Sequence, residues 1–229
     1  MLVLGHRGAS ADFAENTVSA FEGAVAQGAD GVELDVRRTA DGAMAVSHDP
    51  VLPDGRVLLD LRHDQLPASM PLLDTALEAC RPLPVVNIEI KNWPDDGDFD
   101  STSRLADQVV ELLAQRDELD DGRNLISCFH LPTLDRVHEL APGLPTAWLL
   151  GLVEDPGALI DRAASHGHAA VNPHHAFVNE ELVRLAHEAG LAVNAWTCDD
   201  PDRIRWLADL GVDAVITNTP ARALRALGR

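Results

Sequence analysis

Short β-rich runs alternate with longer helical patterns along almost the whole chain, and this alternation constrains the fold more than any other feature. The first unit illustrates it. Residues 2–5 (LVLG) predict a strand, and residues 17–27 (TVSAFEGAVAQ) place apolar side chains on one helical face. Asn16 is expected to cap this helix at its N-terminus, and Gly28 is expected to end it.

The same unit recurs until eight strands are predicted. The later predicted strands are 31–36, 84–90, 124–129, 146–150, 168–171, 191–196 and 213–218. The predicted helices that separate and follow them are 72–80, 101–116, 131–140, 156–166, 179–189, 201–210 and 219–228. Eight such units favour an α/β fold of the (β/α)8 TIM-barrel type over an open doubly wound sheet. A dinucleotide-binding fold has no support, because no G-x-G-x-x-G motif follows the first strand.

One stretch, about 37–71, interrupts the pattern after the second predicted strand. Asp41-Gly42 is a turn signal, and the runs on either side of it predict a short hairpin. The insertion follows the C-terminal end of a strand, where barrel enzymes carry their catalytic residues. We therefore expect residues 1–229 to form a single barrel domain with a small hairpin insertion. The acidic stretch 93–100 is interpreted as a solvated loop, although its position after the third strand leaves room for a minor role in screening substrates.

Charge and apolar patterning narrow the classes of partner. Lys and Arg total 18 and Asp and Glu total 37, a net charge of -19 that repels nucleic acid and anionic lipid. An anionic small molecule would need a local positive site. The sequence shows neither a signal peptide nor a spanning apolar run, which predicts a cytoplasmic protein without stable membrane insertion. Its three widely spaced cysteines predict small buried side chains in a reducing compartment. No pattern indicates an oligomeric state.

Polar side chains gather where the first three predicted strands end. Side chains two apart on a strand point to the same side, and neighbouring strands lie about 5 Å apart, so these groups can converge. The cluster comprises His6 and Arg7 at the first strand, Glu33 and Asp35 on the second, Glu89 and Lys91 on the third, and His48 in the insertion.

The three carboxylates of this cluster predict a metal ion. Glu33, Asp35 and Glu89 would repel one another in a shared cavity unless some were protonated or a cation neutralised them. Mg²⁺ or Ca²⁺ suits such oxygen ligands. The alternative is a set of separate ion pairs with basic residues such as Arg37 or Lys91. Their position within otherwise apolar strands favours the metal.

The other four side chains predict phosphate chemistry. His6 and His48 can serve as an acid/base pair near neutral pH. Arg7 offers a planar fork and Lys91 a point charge for phosphate oxygens, although Lys91 could instead form a simple ion pair with Glu89. Together with a metal, these groups suit a phosphoryl-transfer reaction.

Several motifs occur in a fixed order along nearly the whole chain. They are G-H-R-G at 5–8, E-N-T at 15–17, A-F at 20–21, G-A-D-G-V-E-L-D-V at 28–36, T-A-D-G at 39–42, H-D at 48–49, E-I-K at 89–91, A-W-T at 195–197 and I-T-N-T-P at 216–220. This ordered set resembles the glycerophosphodiester phosphodiesterase family. The resemblance implies a (β/α)8 barrel, a divalent metal, and hydrolysis of glycerophosphodiesters to an alcohol and sn-glycerol 3-phosphate. The attacking group in such a reaction is either water or the substrate's own hydroxyl.

The resemblance also implies roles for individual residues. His6 and His48 would be the acid/base pair. The metal ligands would be Glu33, Asp35 and Glu89. Arg7 and Lys91 would bind the phosphate. Glu15 and Asn16 would support the loop beside His6. Phe129 and Trp196 end predicted strands, where their rings could flank the glycerol or head group, or simply pack in the barrel. The segment after His48 lacks the Arg-Thr-Thr triplet of many relatives, which leaves the head group open.

Three other functions are compatible with parts of this pattern. A lysophospholipase D or phosphoinositide-type phosphodiesterase would share the barrel and histidines but should present an apolar or basic membrane-facing patch. A metal-dependent sugar isomerase would not need the two cations, Arg7 and Lys91. A non-catalytic phosphate-binding module would not need both histidines together with all three carboxylates.

Overall fold

Eight parallel strands close into a barrel in the computed structural model, which describes residues 1–229. The strands are β1 (Leu2–His6), β2 (Gly31–Arg38), β3 (Met44–Val46), β4 (Val85–Ile90), β5 (Asn124–Cys128), β6 (Thr146–Leu150), β7 (Ala170–Pro173), β8 (Ala192–Ala195) and β9 (Ala214–Thr217). All except β3 form the barrel, in which β9 pairs with β1 and β1 with β2 to close the ring. The prediction of a (β/α)8 TIM barrel is confirmed.

Eight helices lie outside the strands. They are α1 (Val18–Ala26), α2 (Leu73–Ala79), α3 (Arg104–Gln115), α4 (Leu131–Leu140), α5 (Pro156–Ser165), α6 (Glu180–Glu188), α7 (Pro201–Asp209) and α8 (Pro220–Ala226). Several begin with a proline in the first turn, where its fixed φ suits the helix and its missing N–H costs nothing. None of the helices has the length and apolar character needed to cross a bilayer.

The main apolar core lies between the strands and the surrounding helices. On β2, Val32, Leu34 and Val36 belong to this core. Because successive strand residues point to opposite faces, Glu33 and Asp35 face the barrel interior instead. The strand thus buries apolar residues on one side and carboxylates on the other. The three cysteines are free and buried, as predicted.

The start of α1 differs from the sequence prediction. Thr17 is the N-cap, and its Oγ1 accepts a hydrogen bond from the Ala20 N–H at 3.2 Å. The prediction that Asn16 caps this helix is therefore wrong. Asn16 lies one residue earlier in a left-handed conformation (φ 56°), which directs its amide to the buried carboxylate of Asp35.

The hairpin predicted after the second strand is confirmed. β3 pairs antiparallel with the end of β2, with Val46 opposite Val36, and the turn between them contains Asp41-Gly42. The rest of the insertion contains two short 3-10 helices and is held by a small apolar cluster of its own. His48 is the second residue after β3, so the hairpin brings it to the rim where β2 ends.

Candidate active site

Strand register brings the predicted carboxylates together at the C-terminal rim of the barrel. His6 on β1 lies opposite Glu33 on β2, and Asp35 on β2 lies opposite Glu89 on β4. One carboxylate oxygen from each of Glu33, Asp35 and Glu89 lies within 4.8 Å of the other two. The three residues are 3%, 1% and 8% exposed, so their mutual repulsion is poorly screened by water.

This burial shifts the pKa values of the cluster in different directions. Burial raises the pKa of Glu33 well above its ordinary value, and the Asp35 and Glu89 charges add to the effect. Burial also raises the pKa of Glu89, to about 7, against the opposing charge of Lys91. Burial would raise the pKa of Asp35 as well, but Lys91 and Arg7 hold it below its ordinary value.

Two buried carboxylate oxygens of the cluster have no hydrogen-bond partner. They are the buried Oε1 of Glu33 and Oδ1 of Asp35. Buried acceptors of this kind are costly unless something satisfies them. A hard divalent cation among the carboxylates would supply that missing partner, so the donor set fits such an ion.

Lys91 contacts two carboxylates of the cluster directly. Its Nζ donates to Glu89 Oε1 at 2.7 Å and lies 3.6 Å from Asp35 Oδ1. The simple Lys91–Glu89 ion pair considered from the sequence is therefore present. Lys91 also lines the cavity beside the cluster, so its ammonium can reach a bound anion.

The G-H-R-G motif folds into a turn that places Arg7 against three acidic side chains. Arg7 has a left-handed backbone (φ 55°), which points its N–H at Glu33 Oε2, 2.9 Å away. Its Nη1 donates to both oxygens of Glu15, at 2.9 and 3.0 Å, and its Nε lies 3.2 Å from Asp35 Oδ2. Glu15 thus contacts the site by orienting Arg7.

Gly8 makes this turn possible. Its φ is +84°, and a Cβ atom on it would lie 2.5 Å from the carbonyl carbon of Ala20 in α1. No larger residue can adopt this conformation at that separation without moving the helix. The second glycine of the motif is therefore required for the turn to pack on α1.

A hydrogen-bond chain from the far end of the sequence fixes the tautomer of His6. Asn218 Nδ2 donates to Asp199 Oδ2 at 2.6 Å, which leaves Asn218 Oδ1 to accept from His6 Nδ1–H at 2.7 Å. The Nε2 of His6 is then the free nitrogen and lies 4.0 Å from Glu33 Oε2. Burial, with the Arg7 charge, lowers the pKa of His6, so the ring is neutral near pH 7.

Asn218 and Asp199 were missed as functional residues from the sequence. Asn218 stands in the I-T-N-T-P motif, which was noted only for its resemblance. Asp199 also accepts from the backbone N–H of Asn218 and from Thr217 Oγ1, at 2.8 and 2.7 Å. An aspartate after β8 therefore holds the asparagine after β9, which in turn holds the histidine of β1.

His48 is oriented through both its ring and its backbone carbonyl. Its Nδ1 is 2.7 Å from Asp49 Oδ1, which leaves Nε2 free, as in His6. Its backbone carbonyl accepts from Arg37 Nε at 2.7 Å. Both histidines therefore present Nε2 as the free ring nitrogen, although they lie on different elements.

Arg37 joins the segment that carries His48 to the acidic loop. The side chain is 2% exposed and donates to both oxygens of Asp98, at 2.6 and 2.8 Å, and to Asp96 at 2.8 Å. The interpretation of 93–100 as a merely solvated loop is therefore wrong. The reason is that the buried guanidinium at the end of β2 requires counter-charges, and this loop supplies them.

A cavity of about 680 Å³ opens beside the cluster. Glu89, Lys91 and His48 line its polar side, and Phe129 lies on its apolar side together with Trp93, Trp148 and Leu152. Its volume is typical of small-molecule sites. Phe129 is at the centre of an aromatic row, with ring centroids 5.7 Å from Trp93 and 5.5 Å from Trp196. Trp196 supports Phe129 but is not among the residues that line the cavity.

Comparisons with known proteins agree with this geometry. Residues 6–222 match the model of the glycerophosphoryl diester phosphodiesterase family. A glycerophosphodiester phosphodiesterase of Bacillus altitudinis is 29% identical over 97% of this chain and 96% of its own length. The crystal structure of a glycerophosphodiester phosphodiesterase from Thermotoga maritima covers 100% of this chain and 98% of its own, with 28% identity and a TM-score of 0.82.

A third similarity concerns the fold alone. An Oleispira antarctica phosphodiesterase, solved in complex with the product sn-glycerol-3-phosphate, is 24% identical with a TM-score of 0.90 and covers 100% of this chain and 97% of its own. Because the family model spans nearly the whole length of the chain, the chain belongs to the glycerophosphoryl diester phosphodiesterase family and is a phosphodiesterase enzyme.

Proposed function

We propose that the chain, acting as one barrel domain over residues 1–229, hydrolyses glycerophosphodiesters to an alcohol and sn-glycerol 3-phosphate with a divalent metal. His6 and His48 transfer the protons. The observation that carries the proposal is the pair of unpartnered oxygens on Glu33 and Asp35, next to two imidazoles whose Nδ1 atoms are both engaged. A cation site next to two oriented histidines suits phosphoryl transfer.

Glu33, Asp35 and Glu89 would hold the metal, either Mg²⁺ or Ca²⁺. Three carboxylates match the preference of these hard cations for charged oxygen ligands. When bound, the ion would neutralise the carboxylates and polarise a phosphoryl oxygen.

Arg7 and Lys91 bind the phosphate. Glu15 and Asp35 hold the guanidinium of Arg7, while its Nη2 makes no hydrogen bond within the protein and remains available to a phosphate oxygen. Lys91 adds a charge at the cavity wall. A guanidinium that is already oriented loses little side-chain entropy on binding, which favours a defined orientation of the phosphate.

One histidine acts as the general base and the other as the general acid. One Nε2 accepts the proton of the attacking hydroxyl, which belongs to water or to the substrate's glycerol. As the new P–O bond forms, the bond to the alcohol breaks, and the other imidazole, in its protonated form, donates a proton to the departing oxygen. Attack by the glycerol hydroxyl would expel the alcohol and leave a cyclic glycerophosphate, which water must then open to sn-glycerol 3-phosphate. ³¹P NMR of early time points would detect the cyclic compound.

The apolar side of the cavity receives the organic part of the substrate. Phe129 presents its ring there, and Trp93 and Leu152 extend the apolar surface toward the mouth. Trp196 acts through Phe129 by packing edge-on against its ring. Such a wall selects by shape and apolar area, so a choline-sized or larger alcohol suits it better than a highly charged one.

Two variants and a chelator test the proposal. His6→Ala and His48→Ala are each expected to lower kcat/KM on glycerophosphocholine by about 10²–10⁴-fold. EDTA should abolish activity, and Mg²⁺ or Ca²⁺ should restore it. His187→Ala, an exposed histidine at the other end of the barrel, is the control and should remain fully active. Full activity of either test variant would refute the acid/base roles, and activity resistant to chelation would refute the metal.

A lipid substrate is the second candidate. Trp93 and Leu152 are 44% and 58% exposed at the cavity mouth, an unusual exposure for large apolar side chains. A lysophospholipase D or phosphoinositide-type enzyme would use them to contact a bilayer. Co-sedimentation with liposomes, together with faster turnover of lysophospholipid than of glycerophosphocholine, would favour this alternative.

A further inference from the structure

A second cluster of metal-ligating side chains lies at the N-terminal end of the barrel strands, opposite the candidate active site. Asp135 belongs to α4, His166 follows α5, and His168 precedes β7. One ligand atom from each of the three lies within 4.8 Å of the other two. The sequence offered no reason to single them out, because they are widely separated or lie in ordinary helical and loop contexts.

His168 is the residue that points to a ligand. Its side chain is 0% exposed, and its Nδ1 is 2.8 Å from Thr146 Oγ1. Its buried Nε2 has no hydrogen-bond partner and faces Asp135 Oδ1 at 3.8 Å, beyond hydrogen-bonding distance. A buried ring nitrogen aimed at a carboxylate oxygen, with a gap between them, leaves the nitrogen of His168 without a partner.

The spacing of these atoms suits an ion. Two ligands of a tetrahedral Zn²⁺, with bonds of about 2.0–2.1 Å, lie about 3.4 Å apart. His168 Nε2 and Asp135 Oδ1 are close to that separation. His166 Nδ1 is 2.7 Å from the same Asp135 oxygen, and its ring is stacked on that of His168 with an interplanar angle of 19°. A small outward movement of the half-exposed His166 would bring its Nδ1 to about the same distance from Asp135 Oδ1.

His138 lies beside this cluster, next to Gly167. It lies three residues after Asp135, on the same side of α4. Its Nε2 is 3.1 Å from where a Cβ atom on Gly167 would be, and Gly167 has a φ of +78°. Glycine between His166 and His168 therefore allows both the tight turn and the close approach of His138.

We propose that Asp135, His166 and His168, with His138 beside them, form a structural binding site for a transition-metal ion of the Zn²⁺ class. Imidazole-rich sites prefer Zn²⁺ and its neighbours, whereas the all-carboxylate cluster prefers Mg²⁺ or Ca²⁺. Thr146 acts as an acceptor for Nδ1–H of His168, which directs the Nε2 lone pair at the ion. The ion would tie α4 to the turn before β7, on the barrel face that contributes to stability.

Zn²⁺ binding to the full chain in excess Mg²⁺ tests the proposal. Isothermal titration should give one Zn²⁺ per wild-type chain, with affinity lowered about tenfold or more in His166→Ala and in Asp135→Asn. The double variant Glu33→Gln/Glu89→Gln should keep this site, which separates it from the proposed catalytic metal. Substitutions are made at His166 and Asp135, because both are partly exposed and tolerate replacement better than the buried His168.

The control is His187→Ala. His187 forms a histidine–aspartate pair with Asp213, at 2.9 Å and with comparable exposure, but has no third ligand. Zn²⁺ affinity should be unchanged in this variant, and Co²⁺ bound to the wild type should show the strong visible absorption of a tetrahedral site. If His166→Ala binds Zn²⁺ as tightly as the wild type, or if the glutamine double variant binds none, the proposal is wrong. In that case the cluster is only a hydrogen-bonded group.

Discussion

Raising the pH should destabilise the metal-free protein, with Glu89 as a main cause. Burial raises the pKa of the Glu89 carboxyl from 4.5 to about 7 in the folded chain. The folded protein thus binds this proton more tightly than the unfolded chain does. The resulting stabilisation is complete below pH 4.5 and is lost as the pH rises through 7. At about 1.4 kcal/mol per pKa unit, the loss amounts to about 3 kcal/mol.

Glu33 and Asp35, the neighbouring carboxylates, affect stability in different pH ranges. Burial raises the pKa of Glu33, so its protonated form also stabilises the fold and is lost with rising pH. Lys91 and Arg7 lower the pKa of Asp35 despite its burial. The stability from Asp35 is therefore present above its ordinary value of 3.8 and is lost only as the pH falls further. The two effects occupy different pH ranges.

The Glu89→Gln variant isolates the effect of this one carboxyl. Glutamine resembles the protonated acid and can still accept from Lys91. The measurement is the free energy of unfolding in urea, with EDTA present, from pH 4.5 to pH 8. Between pH 4.5 and pH 7, the free energy of unfolding of the variant should increase by about 3 kcal/mol relative to that of the wild type.

A second glutamate serves as the control for this measurement. Glu118→Gln removes a carboxylate paired with Arg116 at the other end of the barrel. Stability curves for wild type and Glu89→Gln that remain parallel across this range would refute the reasoning, as would an equal divergence in the Glu118 variant. Above pH 7, Mg²⁺ or Ca²⁺ should stabilise the wild type more than Glu89→Gln, because only the wild type retains all three proposed ligands.

Three further predictions concern the surroundings of the site. Arg37→Gln should lower kcat about 100-fold, since the loop that carries His48 loses its anchor. The same variant should lower the free energy of unfolding in urea by about 3 kcal/mol. An unchanged kcat would contradict the positioning role. Gly8→Ala forces a Cβ atom into the backbone of Ala20 at a φ of +84°, so thermal unfolding should reveal a loss of about 3 kcal/mol or more. A variant as stable as the wild type would disprove that constraint. Phe129→Ala should reduce kcat/KM about tenfold for substrates with an apolar alcohol and much less for those with a small polar one, and an equal reduction for both would argue against an apolar alcohol site.

The parts of this molecule that follow from local patterning were predictable from the sequence. Alternation along β2 separates Val32 and Leu34 from Glu33 and Asp35, and parallel pairing of neighbouring strands then brings the carboxylates together. The hairpin followed from a turn signal. These features depend on periodicity and on interactions between elements that are close in the sequence.

The features that escaped prediction depend on contacts between distant residues. Arg37 meets Asp98 across 61 residues, and no local pattern reveals which of many acidic side chains will neutralise a buried guanidinium. Asn16 looked like a helix cap because the same side chain can bind a backbone N–H or a carboxylate, and only the packed structure decides between them. Long-range hydrogen bonds of this type require the register of the whole barrel.

The contact between His6 and Asn218 has a consequence for the synthesis of the protein. The asparagine that holds the ring of His6 is made 212 residues after His6 itself. A nascent chain can bring its first strands and their carboxylates together, but the imidazole acquires its fixed tautomer only when β9 closes the barrel. Because the proposed reaction uses this tautomer of His6, chains that end before β9 should not hydrolyse glycerophosphodiesters.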